Sequence, residues 1–281
     1  MGNRLRGFSS KELLERAFPL LGRVAFVGGG SGQLGSATID KLCSLGCSVA
    51  FTYHSNRKAA ARIVGRNSRF FEKHSLKSKI IAISSDEQAK KRVSKEFGKI
   101  DFIVCFQDLV FKNGLWDGAD KKLVEAEKHL PYEIAYVGTR DCIESLEPLM
   151  KNGGSILVIS STTAMEGKQY RHGKYYSIPK AYLIELAKKY AKALAKRGIT
   201  VNVGIWGWVP KGVEDPKELK NELRKIPLRR FGKPDDIADA CFSIITTRWM
   251  TGQGIVVDGG QTMHINGMRK YLKDGKRLFN K

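Results

Sequence analysis

The sequence lacks any apolar run approaching the roughly 18 residues that a membrane-spanning helix needs. It lacks a secretory signal too, because Met1 to Arg16 is mixed and charged throughout. Arg6 stands where N-myristoylation would want Ser or Thr, and Glu12 and Glu15 argue against a mitochondrial presequence. Cysteine is sparse: Cys43, Cys47, Cys105, Cys142 and Cys241 are odd in number and spaced neither as a zinc pattern nor as CxxC. They read as reduced small hydrophobes in a cytoplasmic setting, or an organelle matrix. Five histidines, His54, His74, His129, His172 and His264, form no ligand-like cluster, so no metal is assigned. Acidic residues are also few, 28 against 49 Lys and Arg, for a net charge of +21. That imbalance favours an anionic partner, with dinucleotide phosphates, coenzyme A, an acidic carrier protein and nucleic acid all qualifying. A lysine-rich solvated surface accounts for it equally well.

What is present reads as one folded unit. At 281 residues, 42% apolar and 27% charged, the chain can bury the core of a large α/β domain. Ser10 to Arg16 is a short capped amphipathic helix inside an N-terminal extension, residues 1–21. Short apolar runs then alternate with helical spacing: Arg23–Val27, Cys47–Tyr53, Lys79–Ser84, Asp101–Cys105, Ser155–Ile159, Thr200–Ile205 and Gly254–Val257. Continuously apolar strands separated by helices indicate a parallel sheet covered on both faces. The expected architecture is a single-domain, Rossmann-type, doubly wound α/β sheet in three αβα layers over residues 22–262. A basic tail, residues 263–281, follows. Such sheets bind ligands at the carboxyl ends of their strands.

After the first strand the sequence reads Gly28-Gly29-Gly30-Ser31-Gly32-Gln33-Leu34-Gly35 and enters a helix. Glycines there allow a tight turn and a close approach of backbone to a pyrophosphate, and the helix start favours the anion. The candidate contacts are Gly29, Ser31, Gly32, Gln33, Leu34 and Gly35; a ligand-free glycine turn would look the same. The second strand ends in Tyr53-His54-Ser55-Asn56-Arg57-Lys58, with no acid to receive an adenosine ribose. Arg57 and Lys58, with Ser55 and Asn56 as donors, suit a 2′-phosphate instead, with Tyr53 as a further candidate contact, which points to NADP(H) rather than NAD. The same cations could merely open a solvated helix.

Tyr176-Ser177-Ile178-Pro179-Lys180 puts Tyr and Lys four apart, on one helix face. A lysine ammonium so placed lowers the phenol pKa and makes it a usable acid near neutral pH. Upstream, Ile159-Ser160-Ser161 ends a strand. Downstream, Pro227-Leu228-Arg229-Arg230-Phe231-Gly232-Lys233-Pro234 leads to Thr251-Gly252-Gln253 and Val256-Val257-Asp258-Gly259-Gly260.

With these segments the chain resembles the short-chain dehydrogenase/reductase family, and within it the 3-oxoacyl carrier-protein reductase-like members, from about Gly22 to Gln261. The resemblance implies that Ser161, rather than Ser160, polarises a substrate carbonyl. It implies that Tyr176 donates a proton and that Lys180 assists it and binds the nicotinamide ribose. It also implies cofactor contact at Val209, an acyl thioester on an acidic carrier as substrate, and a homotetramer built on helices around 121–150 and 176–197.

Several positions depart from the family pattern. Gly28 stands where Thr is frequent, and Ile83 where an acid caps the third strand. Cys105-Phe106-Gln107-Asp108 replaces Asn-Asn-Ala-Gly, Ala135 replaces a relay asparagine, Trp206-Gly207 replaces Pro-Gly, and Lys211 replaces a threonine. Pro179 sits inside the Tyr–Lys motif, which suits a helix that has just begun. Trp206 and Trp208 are expected to wall the substrate pocket, with Lys211 to Lys225 as a helical lid. The departures keep open a weakly catalytic or non-catalytic protein on the same fold, with nucleic acid or another partner as ligand.

Overall fold

Every one of the apolar runs becomes a strand, and each strand pairs in parallel with its neighbours. The computed structural model describes residues 9–84, 88–107, 132–166, 173–212 and 216–264. The strands are β1 (Val24–Gly28), β2 (Ser48–Thr52), β3 (Ile80–Ile83), β4 (Ile100–Cys105), β5 (Met150–Ser161), β6 (Ile199–Trp206) and β7 (Gly254–Val257). They form one seven-stranded sheet in the order β3-β2-β1-β4-β5-β6-β7. Sequence order reverses between β1 and β4, so a crevice opens there at the carboxyl edge, where doubly wound sheets take their ligands.

The helices cover both faces because the strand side chains alternate between two cores. In β5, Ile156 and Val158 face one core while Leu157 and Ile159 face the other. The first core takes buried residues from α4 (Ala89–Phe97), α5 (Gly138–Leu146) and α6 (Gly173–Leu194). The second takes them from α2 (Gln33–Ser44), α3 (Arg57–Lys73) and α8 (Pro234–Thr246). Each fully buried Ile, Leu or Phe contributes about 1.5–3 kcal/mol of transfer free energy. The N-terminal helix, α1 (Ser10–Ala17), is closed by Ser9 and Glu12, which cap each other's backbone amides. The expected lid is α7 (Pro216–Leu223), shorter than the charged stretch that encodes it.

All five cysteines are buried and free, as their apolar surroundings implied. Burial pushes the Cys241 thiol up to about 12, so it behaves as a small hydrophobe. Among the described residues no group of His, Cys, Asp and Glu could hold a metal ion. Nor is any helix among them long and apolar enough to cross a membrane. The basic tail from 265 onward, His129, His172, Asp108 and the first part of the expected 121–150 interface lie outside the described residues.

Candidate active site

The glycine loop forms because its residues leave no room for side chains. Gly29 has φ +68°, a left-handed conformation that disfavours other residues, and its N–H donates to Thr52 Oγ1 at 3.1 Å. A Cβ on Gly35 would lie 2.8 Å from both Gly29 O and Gly30 Cα, so α2 packs directly on the loop. Gly32 is the N-cap of α2 and offers no side chain to the helix's first amides. Helix-start amides left without a side-chain cap are the donors that a pyrophosphate takes up. Gln33 reaches across from the first turn of α2, its Nε2 donating to Pro210 O at 3.2 Å. Loop and post-β6 segment are thereby joined over the cleft. Ser31 and Leu34 lie in the same turn.

Beyond β2, Tyr53 is half-buried, and Ser55, Asn56 and Arg57 are exposed. Asn56 has a structural duty: its Oδ1 accepts from Ala59 N–H and caps α3. The first turn of α3 contains no acid, yet it begins Arg57-Lys58. Cations at the positive end of a helix dipole are unfavourable without an anion to balance them. Ile83 closes β3 as a buried apolar residue, as its replacement of an acid implies.

The residues singled out in the sequence for chemistry converge beside β5. Lys180 is only 1% exposed, and its Nζ donates to Ile159 O at 3.4 Å. The same Nζ lies 5.5 Å from the centre of the Tyr176 ring. Ser160 is buried, and its hydroxyl donates to the Lys180 carbonyl at 2.7 Å. That bond fixes α6 against the end of β5 and uses up the Ser160 hydroxyl. Ser161 is half-buried, with Oγ accepting from Thr163 N–H at 3.3 Å, so its own proton remains available to a ligand oxygen. Pro179 is not near the start of its helix, which begins at Gly173. The helix runs through it without the N–H that would meet the Tyr175 carbonyl.

Trp206 corrects an expectation. It is 4% exposed and belongs to the core on the α2–α8 side, not to a pocket wall. Side chains two apart share a strand face, and Gly204 leaves a hollow there. A Cβ on Gly204 would lie 2.1 Å from the indole Cζ2, so the ring folds back into that space. Trp208 stays half-exposed, 6.2 Å from the Phe231 ring, and Val209 packs against the same core's rim. Ala135 is buried in a π-helical segment, Tyr132–Val137, and Lys211 is exposed. Sequence reasoning missed Thr52, which anchors the loop, and the positioning role of Ser160. A strand-terminal Thr facing a glycine turn was the signal for the first.

Over residues 31–262 the sequence matches the family described as enoyl-(acyl carrier protein) reductase. The chain belongs to the short-chain dehydrogenase/reductase family. It is 28% identical over 247 residues to a 3-oxoacyl-(acyl-carrier-protein) reductase of Staphylococcus aureus, covering 85% of this chain and 98% of that protein. The corresponding reductase of Synechocystis is 28% identical over 250 residues, covering 87% and 98%. Among solved structures, a short-chain dehydrogenase/reductase of Serratia marcescens is 26% identical with a TM-score of 0.77, covering 87% and 99%. A Burkholderia cenocepacia short-chain dehydrogenase in complex with NADP is 25% identical with a TM-score of 0.75, covering 86% and 99%. This short-chain dehydrogenase/reductase is thus an NAD(P)-dependent oxidoreductase, and its crevice suits such a cofactor. The glycine cradle that a Cβ would fill and the uncapped α2 amides are both shaped for a dinucleotide diphosphate.

Proposed function

We propose that the protein reduces a carbonyl, in a 3-oxoacyl thioester or a similar ketone, to an alcohol with NADPH. The observation that carries this reading is the buried Lys180 ammonium beside the Tyr176 ring at the carboxyl end of β5. A reduced nicotinamide cofactor held by the glycine loop would supply the hydride for the carbonyl carbon. Ser161 hydrogen-bonds the carbonyl oxygen and fixes its direction. Tyr176 gives its proton to the same oxygen, so C=O becomes CH–OH. Lys180 stabilises the negative charge left on the phenol oxygen, and its burial strengthens that effect.

NADPH is preferred to NADH because Arg57 and Lys58 stand at an acid-free helix start, where a 2′-phosphate balances them. The acyl thioester reading rests on the named relatives, and the net charge of +21 suits delivery on an acidic carrier. An assembly of several copies is supported by the tyrosines on the α6 face. Tyr132 stacks on Tyr136 at 5.1 Å, and half-exposed Tyr182 packs edge-on at 6.0 Å from Tyr132. Sedimentation that finds only monomer would remove the tetramer.

The test of the chemistry is oxidation of NADPH and of NADH in the presence of an acetoacetyl thioester. Tyr176→Phe should lower kcat by about 10²–10⁴-fold, the range for a lost general acid, with an unchanged melting temperature. Equal rates for the two proteins would remove the role of Tyr176. A wild type faster with NADH would reverse the cofactor assignment.

A further inference from the structure

Gln107 lies just past β4, beside the crevice, where the family pattern has Ala. It is 9% exposed, and neither its Nε2 nor its Oε1 has a hydrogen-bond partner among the described residues. Such a carboxamide offers two donors and two acceptor lone pairs. Leaving buried polar groups unmade is unfavourable enough that a native case calls for an explanation. The place it occupies is specific. A Cβ on Gly28 would stand 2.3 Å from its Nε2 and 2.7 Å from its Oε1. Gly28 therefore makes room for the carboxamide, and two sequence departures, Gly28 and Gln107, are one structural feature. The adjoining backbone is pressed to the cradle as well, since a Cβ on Gly29 would lie 2.8 Å from Phe106 O and 3.3 Å from Gln107 N.

We propose that Gln107 is a cofactor-binding residue of this chain, its carboxamide meeting the ribose–pyrophosphate stretch of the dinucleotide from beneath the glycine loop. The inference rests on the dinucleotide reading above. An amide is the side chain that can serve that stretch on both counts. Its N–H donates to a phosphate oxygen, and its carbonyl accepts from a ribose hydroxyl. A carboxylate would repel the phosphates, and an alkyl group would give neither bond. With no described partner to give up, the carboxamide is available to a ligand's phosphate oxygen and hydroxyl. In the apo-protein the same freedom leaves two polar groups unmet, so the residue weakens the empty fold in exchange for recognition.

Gln107→Leu keeps the volume and removes both polar groups; Gln107→Glu keeps the shape and places an anion under the diphosphate. Titration of the full-length protein with NADPH, followed by fluorescence, gives the dissociation constant, and thermal melting without cofactor gives stability. The expected result is a Kd about tenfold higher for Leu, the loss of one or two hydrogen bonds. Glu should weaken binding further, and the Leu variant should melt no lower than wild type. NADPH bound equally by wild type and both variants would overturn the inference and leave the cofactor reading intact. A loss of affinity that merely tracks a lower melting temperature would overturn it too, as a packing effect. No binding by wild type at millimolar NADPH would overturn the cofactor reading itself.

Discussion

The two edges of the sheet differ in how particular buried polar side chains are met. Toward the amino edge, Asp101 and Asn202 both find partners. Asp101 accepts from Val24 N–H at 2.9 Å and from Arg23 at 2.9 Å, and pairs with Lys99 at 3.0 Å. Asn202 donates to Met250 O at 2.7 Å and accepts from Gln253 N–H at 3.1 Å, tying the start of β6 to the turn before β7. At the carboxyl ends of β4 and β6, Gln107 and Trp206 each hold a buried polar atom lacking a partner among the described residues. Asp101 therefore ties the fold together at one edge, while Gln107 is left open at the edge where a parallel sheet receives its ligand. Stability and binding are separable along the strand axis, and that separation can be tested from either side.

Between the two edges, the larger expected effect comes from Gly35→Ala at the open one, which acts on stability and binding together. The new methyl would sit 2.8 Å from two backbone atoms of the loop, neither of which can swing away as a flexible side chain would. Either α2 lifts or the loop deforms, at about 1–3 kcal/mol of stability. Because the same movement misdirects the α2 amides, NADPH affinity should fall by about tenfold or more beyond what stability alone explains. Melting and cofactor titration check both parts. A variant that loses stability and keeps full affinity would show that the loop does not hold the cofactor.

How much of this could be read in advance follows the same division. The strands were legible because each is an apolar run, and β7 agrees to the residue at Gly254–Val257. The start of α2 was legible because its glycines follow a strand, whereas Tyr176 and Lys180 stood out only in company with the flanking segments, since their spacing alone arises often by chance. The burial of Trp206 was not, since it depends on Gly204 providing a hollow two residues earlier, a packing fact that hydropathy does not carry. The length of α6 before Pro179 was missed for a related reason. Proline marks a boundary in local sequence, but tertiary packing against β5 and β6 holds the helix together on both sides of it. Gln107 stood out as a departure, yet nothing in the sequence tied it to Gly28, because the two meet only when β1 and β4 lie side by side.

The smaller effect belongs to the closed edge, through Asp101→Ala. Burial alone would raise this carboxyl's pKa, but the bonds from Arg23, Val24 N–H and Lys99 outweigh it and hold the pKa below the usual range. A depressed folded-state pKa means that the ionised form stabilises the fold. That contribution is complete above the unfolded-state value, about 3.9, and is lost as pH falls through the lower folded-state value. The variant should lose about 1–3 kcal/mol at neutral pH by orphaning the Val24 amide. It should also show a flatter decline in stability below about pH 4. Denaturant melts across pH read both. NADPH affinity at neutral pH should stay within about twofold of wild type, because nothing around Asp101 reaches the carboxyl edge. A variant that binds NADPH much more weakly while melting as wild type does would couple the two edges and break the division between them.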